Sequence, residues 1–122
     1  KLLVRCRDTP MDVLHEAATE AVGSLAEITY SGVHGVLEVS APGVNKGTTL
    51  AIVCEQWGIS SEDVVFFGDM PNDLAALSWA GAGYAMASGH PDLLDPALGL
   101  RVAPAGHEDG VGRVVEELLA GR

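Results

Sequence analysis

Basic side chains are scarce. Lys and Arg number 7 against 17 Asp and Glu, for a net charge of −10 at pH 7. Binding along a nucleic acid takes a cluster of cations. The seven here are scattered without a run, which excludes nucleic acid as a partner. Long apolar runs are missing too; none approaches the roughly 18 residues of a membrane span, so no membrane role is expected. Cysteine is limited to Cys6 and Cys54, far apart and without metal-ligand spacing. Both read as reduced core residues of a cytoplasmic protein. His15, His34, His90 and His107 are not spaced as metal ligands and read as surface or loop residues. Of these, His34 lies in a turn at 31–35 from which a substrate contact is conceivable. What the chain has in quantity is apolar: 48% of 122 residues are hydrophobic, enough for one domain core and too much for a disordered chain.

The most informative stretch is Asp63-Val64-Val65-Phe66-Phe67-Gly68-Asp69-Met70-Pro71-Asn72-Asp73-Leu74. Four β-branched or aromatic residues in a row predict a short strand, Val64–Phe67, buried on both faces as in a parallel sheet. Gly68 interrupts the run, and Asp69 falls at the carboxyl end of the strand, where open α/β sheets place ligands. Pro71 suits the first position of a helix, which is expected to run to Trp79. Two carboxylates and an amide thus cluster where a strand gives way to a helix. Such a pair suits a hard divalent cation, which takes one or two carboxylates plus water and phosphate. The same residues also suit plain helix capping by Asp69 and a favourable charge from Asp73. Upstream, Lys46 stands near the start of a predicted helix, Lys46–Trp57, that Gly58 ends. A lysine there opposes the helix dipole; it points into water or, with the helix start, forms an anion site.

The remaining elements follow from periodicity. Leu2–Val4 predicts a strand. Thr9 and Pro10, with Asp12 three residues after Thr9, predict a capping box and a helix carrying Leu14, Ala17, Ala18, Ala21 and Val22 on one face. Strands are expected at 26–30 and 36–39. After the central strand, a strand at Tyr84–Met86, a short helix at Pro91–Leu94, a strand at Leu100–Val102 and a last helix from about Asp109 complete the chain. That helix is expected to bury Val111, Val114, Val115, Leu118 and Leu119, and Trp57 and Trp79 are expected to pack in the core. Strands alternating with helices imply right-handed βαβ units and a parallel sheet.

Gly68-Asp69-Met70-Pro71-Asn72-Asp73 resembles the GDxxND motif of the haloacid dehalogenase superfamily. Gly43-Val44-Asn45-Lys46-Gly47 resembles its lysine motif. Ala82-Gly83-Tyr84-Ala85-Met86-Ala87 and Asp109-Gly110-Val111 resemble two stretches of its Cof-type phosphatase branch, in the same order. The resemblance implies an α/β fold: a partial Rossmann-like parallel sheet with helices (43–122), preceded by a small α+β remnant of a cap domain (1–42). It also implies Mg2+ as cofactor, bound by Asp69 with Asp73 in its outer shell or, as the lesser option, ligating it. Lys46 would be the catalytic residue that holds the transferring phosphoryl group. Asn72 would bind a phosphate oxygen or hold the lysine. The expected substrate is a small phosphorylated metabolite, sugar-phosphate-like, and the expected route passes through an aspartyl-phosphate.

The family's first motif, D-x-D-G-T, carries the nucleophile, and no Asp-x-Asp occurs in this chain. The second motif, a phosphate-binding Ser or Thr, has no counterpart either. The chain is therefore expected to be the C-terminal portion of a longer protein and inactive alone. It is also expected to pair with the missing N-terminal part, or with itself, along the exposed edge of the Val64–Phe67 strand. Alternatives are a specialised sugar-phosphate phosphatase or mutase, and a non-catalytic metal- or phosphate-binding regulatory module of the same fold.

Overall fold

The computed structural model describes residues 1–31 and 36–121. Two three-stranded sheets account for the architecture. The first is antiparallel, with β1 (Leu2–Val4), β2 (Glu27–Ser31) and β3 (Val36–Ser40) in the order β1-β3-β2. In it Leu37 stands opposite both Val4 and Tyr30, and it is fully buried. Helix α1 (Met11–Val22) lies against this sheet. Its start differs from the expected capping box: Pro10 is the N-cap, and the Thr9 hydroxyl instead meets Cys6 Sγ at 3.1 Å. The face expected to be buried is only half covered, with Ala17 and Ala21 exposed. One small sheet cannot cover the helix.

The second sheet is parallel, ordered β4 (Val65–Gly68), β5 (Ala82–Met86), β6 (Arg101–Ala103). Helix α2 (Lys46–Trp57) precedes it, starting where the sequence predicts. The reason is local: Asn45 accepts the Thr48 N–H while Thr48 Oγ1 accepts the Asn45 N–H, a reciprocal cap. Gly58, at φ 68°, ends it in the left-handed region that glycine adopts freely. Helix α3 (Leu74–Trp79) follows a single 3₁₀ turn at Pro71–Asp73, and helix α4 (Gly110–Ala120) closes the chain. Gly47 lets α2 approach α3 closely, since a Cβ there would stand 2.6 Å from the Ala75 carbonyl.

The core is small. Leu77, Ala85 and Leu93 form one cluster, and Met86, Ala103 and Val114 another. Several burial expectations need correction. β4 is an edge strand with β5 as its one neighbour among the described residues, so Val65 is 40% exposed and Phe66 and Phe67 are half-buried. Trp57, the last residue of α2, is 72% exposed, because α2 ends beyond its contact with α3; Trp79 is half-buried. Of the apolar side chains expected to be buried by α4, Val114 is buried and Leu118 partly so, while Val111, Val115 and Leu119 are exposed. That helix rests one narrow stripe on β6. Cys54 is buried as expected, but Cys6 is only half-buried. His34 lies outside the described residues.

Candidate functional site

Three backbone events place the candidate residues. β4 ends at Gly68, the chain turns through Asp69 and Met70, and the 3₁₀ turn Pro71–Asp73 swings Asn72 and Asp73 back under the strand end. Gly68 is required for this fold-back: a Cβ there would stand 2.5 Å from Asp73 Cβ. Asp73 is buried, and its carboxylate is fully engaged. Oδ2 accepts the backbone N–H groups of Asp69 at 3.1 Å and Met70 at 3.0 Å. Oδ1 accepts from the Lys46 ammonium in an ion pair. Lys46 also reaches Asn72 Oδ1 at 3.5 Å.

Lys46, Asn72 and Asp73 therefore converge at the carboxyl end of β4, although Lys46 lies 27 residues before Asp73. A buried carboxylate with a cation and two N–H donors has the partners that a buried charge requires. The lysine remains half-exposed, so its remaining protons face a cavity of about 430 Å³ that Asn72, Phe66 and Leu50 also line. An ammonium held there can bind an anion, with the first turn of α2 adding its positive end.

Asp69 is placed differently. Its carboxylate is exposed and takes no hydrogen bond among the described residues, so it does not cap the following turn. Its carbonyl accepts the His90 N–H at 2.7 Å, which ties the turn to the segment after β5. No group of three His, Cys, Asp or Glu side chains forms a ready metal cage among the described residues. What the strand end offers a cation is one free carboxylate, with a second whose oxygens are already occupied.

Sequence reasoning missed a second set of residues. Tyr30 of β2 meets His90 after β5, and both line a cavity that Asp69 also borders. A signal was present: His90 and Pro91 follow the carboxyl end of β5, the same sheet end as Asp69.

The matches to known proteins bear on the family and the fold. A family model for haloacid dehalogenase-like hydrolases matches residues 1–115. The chain belongs to that family. Its Cof-type branch is the one whose motifs the sequence carries. A phosphoglycolate phosphatase of Methanothermobacter thermautotrophicus is 33% identical over 113 residues, 93% of this chain and 48% of that protein. An HMP-PP phosphatase of Cronobacter sakazakii is 41% identical over 75 residues, 62% of this chain and 27% of that protein. Among solved structures, SMU.1108c from Streptococcus mutans UA159 superimposes with a TM-score of 0.81 at 24% identity, over 97% of this chain and 44% of that one. The last likeness bears on the fold alone. The chain thus spans about half the length, or less, of these haloacid dehalogenase-like relatives.

Proposed function

We propose that this chain forms one half of a Mg2+-dependent phosphatase of small phosphorylated metabolites. The observation that carries the reading is the Lys46–Asp73 pair, which holds an ammonium at the parallel strand end that the turn bearing Asp69 follows. On this reading Lys46 binds the transferring phosphoryl group and offsets the charge on its oxygens, and Asn72 contacts a phosphate oxygen. Asp73 positions the lysine and the 69–70 turn. Asp69 fits Mg2+ as a direct ligand, because its carboxylate is free and exposed and Mg2+ needs few protein ligands. With both oxygens already engaged, Asp73 belongs to the outer shell. When bound, the metal supplies charge neutralisation at the phosphate.

The nucleophilic aspartate comes from a segment upstream, beside the open edge of β4, and the hydrolysis passes through an aspartyl-phosphate. The first sheet and α1 act as part of the cap over the substrate. The free backbone groups of β4 are where the upstream strand adds; in its absence the same edge pairs two copies of the chain.

Hydrolysis of p-nitrophenyl phosphate with Mg2+ tests the reading. Turnover is expected from the protein that carries the upstream segment and lost in Lys46→Ala and Asp69→Asn. The 122-residue chain alone is expected to be inactive, since loss of the nucleophile costs several orders of magnitude. Turnover by the chain alone that Asp69→Ala abolishes would overturn the split of the site between segments.

A further inference from the structure

The Asp69 carboxylate is exposed and has no hydrogen-bond partner among the described residues, so its direction is set by the Asp69 backbone. Two hydrogen bonds hold that backbone. On one side the Asp69 N–H donates to Asp73 Oδ2 at 3.1 Å. On the other the Asp69 carbonyl accepts the His90 N–H at 2.7 Å, at the short end of the range for such a bond.

The second bond comes from a strap that crosses the end of the parallel sheet. After β5 the chain turns over 86–89, where the Gly89 N–H donates to the Met86 carbonyl at 2.8 Å. It then enters a 3₁₀ turn, Pro91–Leu94, in which the Leu93 N–H donates to the His90 carbonyl at 3.0 Å. Both ends of the strap are anchored, because Met86 and Leu93 are buried in the two core clusters. Between them, Ser88 Oγ accepts the Gly106 N–H at 3.2 Å. The core, and not Asp69, therefore sets the position of the strap.

Gly89 is the point of closest approach. A Cβ there would stand 2.8 Å from the Asp69 carbonyl oxygen, 2.9 Å from Asp69 Cα and 3.0 Å from the Met86 carbonyl oxygen. Gly89 is not in the left-handed region, so its backbone conformation does not require glycine. The contact with Asp69 does. An added methyl meets backbone on both sides, and the side that yields is the exposed turn at Asp69 and not the buried Met86. A ligating group must be held to within about 0.5 Å. Relaxing a 2.8 Å contact to an ordinary van der Waals distance of about 3.5 Å takes more than that.

We propose that Gly89 and the His90 backbone N–H are positioning groups that aim the Asp69 carboxylate at its cation. The proposal rests on the phosphatase reading, in which Asp69 ligates Mg2+, and adds the groups that orient that ligand from behind.

Mn2+ titration of the 122-residue chain tests this, read by paramagnetic broadening of the Asp69 carboxyl 13C signal. The parent chain is expected to bind Mn2+ at Asp69. Gly89→Ala should bind it about tenfold more weakly, the usual effect of disturbing a group that orients a metal ligand. Inorganic phosphate binding, read at the Lys46 side-chain signals, should stay within about twofold in the same variant, which a general loss of structure would not allow. His90→Ala keeps the N–H and should bind Mn2+ as the parent does. A measurement on the unaltered chain decides the matter if Gly89→Ala does not fold. Saturating Mg2+ should slow exchange of the His90 amide proton by about tenfold, because the coupling between bond and cation is reciprocal. Three results would overturn the positioning role and leave the metal site standing: equal Mn2+ affinity in folded Gly89→Ala and the parent, a loss in His90→Ala as large as in Gly89→Ala, or His90 amide exchange indifferent to Mg2+. A parent chain whose Asp69 signal Mn2+ does not broaden overturns the metal reading itself, and the positioning role with it.

Discussion

Asp73 is the residue on which the candidate site turns, and Asp73→Asn is the revealing perturbation. The substitution keeps size and shape, yet every group facing this side chain is a donor: the Lys46 ammonium at Oδ1, the Asp69 and Met70 N–H groups at Oδ2. A carboxamide has one acceptor oxygen and one NH2. Either orientation therefore sets a donor against a donor, at the lysine or at the two backbone groups. Two hydrogen bonds to a buried charged acceptor are worth about 1 kcal/mol each once water reaches the exposed turn, and the lost ion pair adds about as much, for ~3 kcal/mol in all. In a domain of this size, each kcal/mol lowers the melting temperature by about 3–5 °C, so a drop of about 10 °C is expected. Asp73→Ala should cost a similar amount, because the amide is no better than nothing here. Thermal denaturation followed by circular dichroism reads both. A melting temperature for Asp73→Asn within about 2 °C of the parent would refute the reasoning, since it would mean that neutral acceptors suffice at this turn.

Lys46 stands at a helix start, and its pairing with Asp73 gives Lys46→Ala a cost in stability. The lysine is half-exposed and water can replace it, so a loss of about 1 kcal/mol should appear in denaturant unfolding, well below that of Asp73→Ala. Gly68→Ala drives a Cβ to 2.5 Å from Asp73 Cβ. It should destabilise by about 2 kcal/mol or more, and a neutral result in thermal unfolding would contradict the close approach. At Cys6, the Thr9 hydroxyl and then the Asp8 backbone hold the thiol below its ordinary value of 9.0. Thr9→Val should therefore shift the pH profile of iodoacetamide alkylation upward. Light scattering should show self-association of the chain, and Val65→Lys, at the first residue of the open edge strand β4, should reduce it.

Short-range chemistry was legible in the sequence. Helix α2 begins and ends as predicted, because Asn45 and Gly58 act on their own neighbours. Gly68 ends β4 and Pro71 opens the following turn for equally local reasons. The family motifs put Lys46, Asn72 and Asp73 in one candidate site, and motif order carried that across a separation that spacing alone does not bridge. Burial was read poorly. Trp57, Val111, Val115 and Leu119 are apolar at helical spacing, yet exposed. Periodicity says which residues share a face, but whether a second layer covers that face depends on the sheet beneath, which here is three strands wide. The contact between Tyr30 and His90 spans 60 residues and two sheets, so no local pattern marks it. Tertiary structure also decided the division of labour between the two aspartates. One loop and one spacing serve both, but the fold-back at Gly68 buries Asp73 against three donors and leaves Asp69 facing solvent.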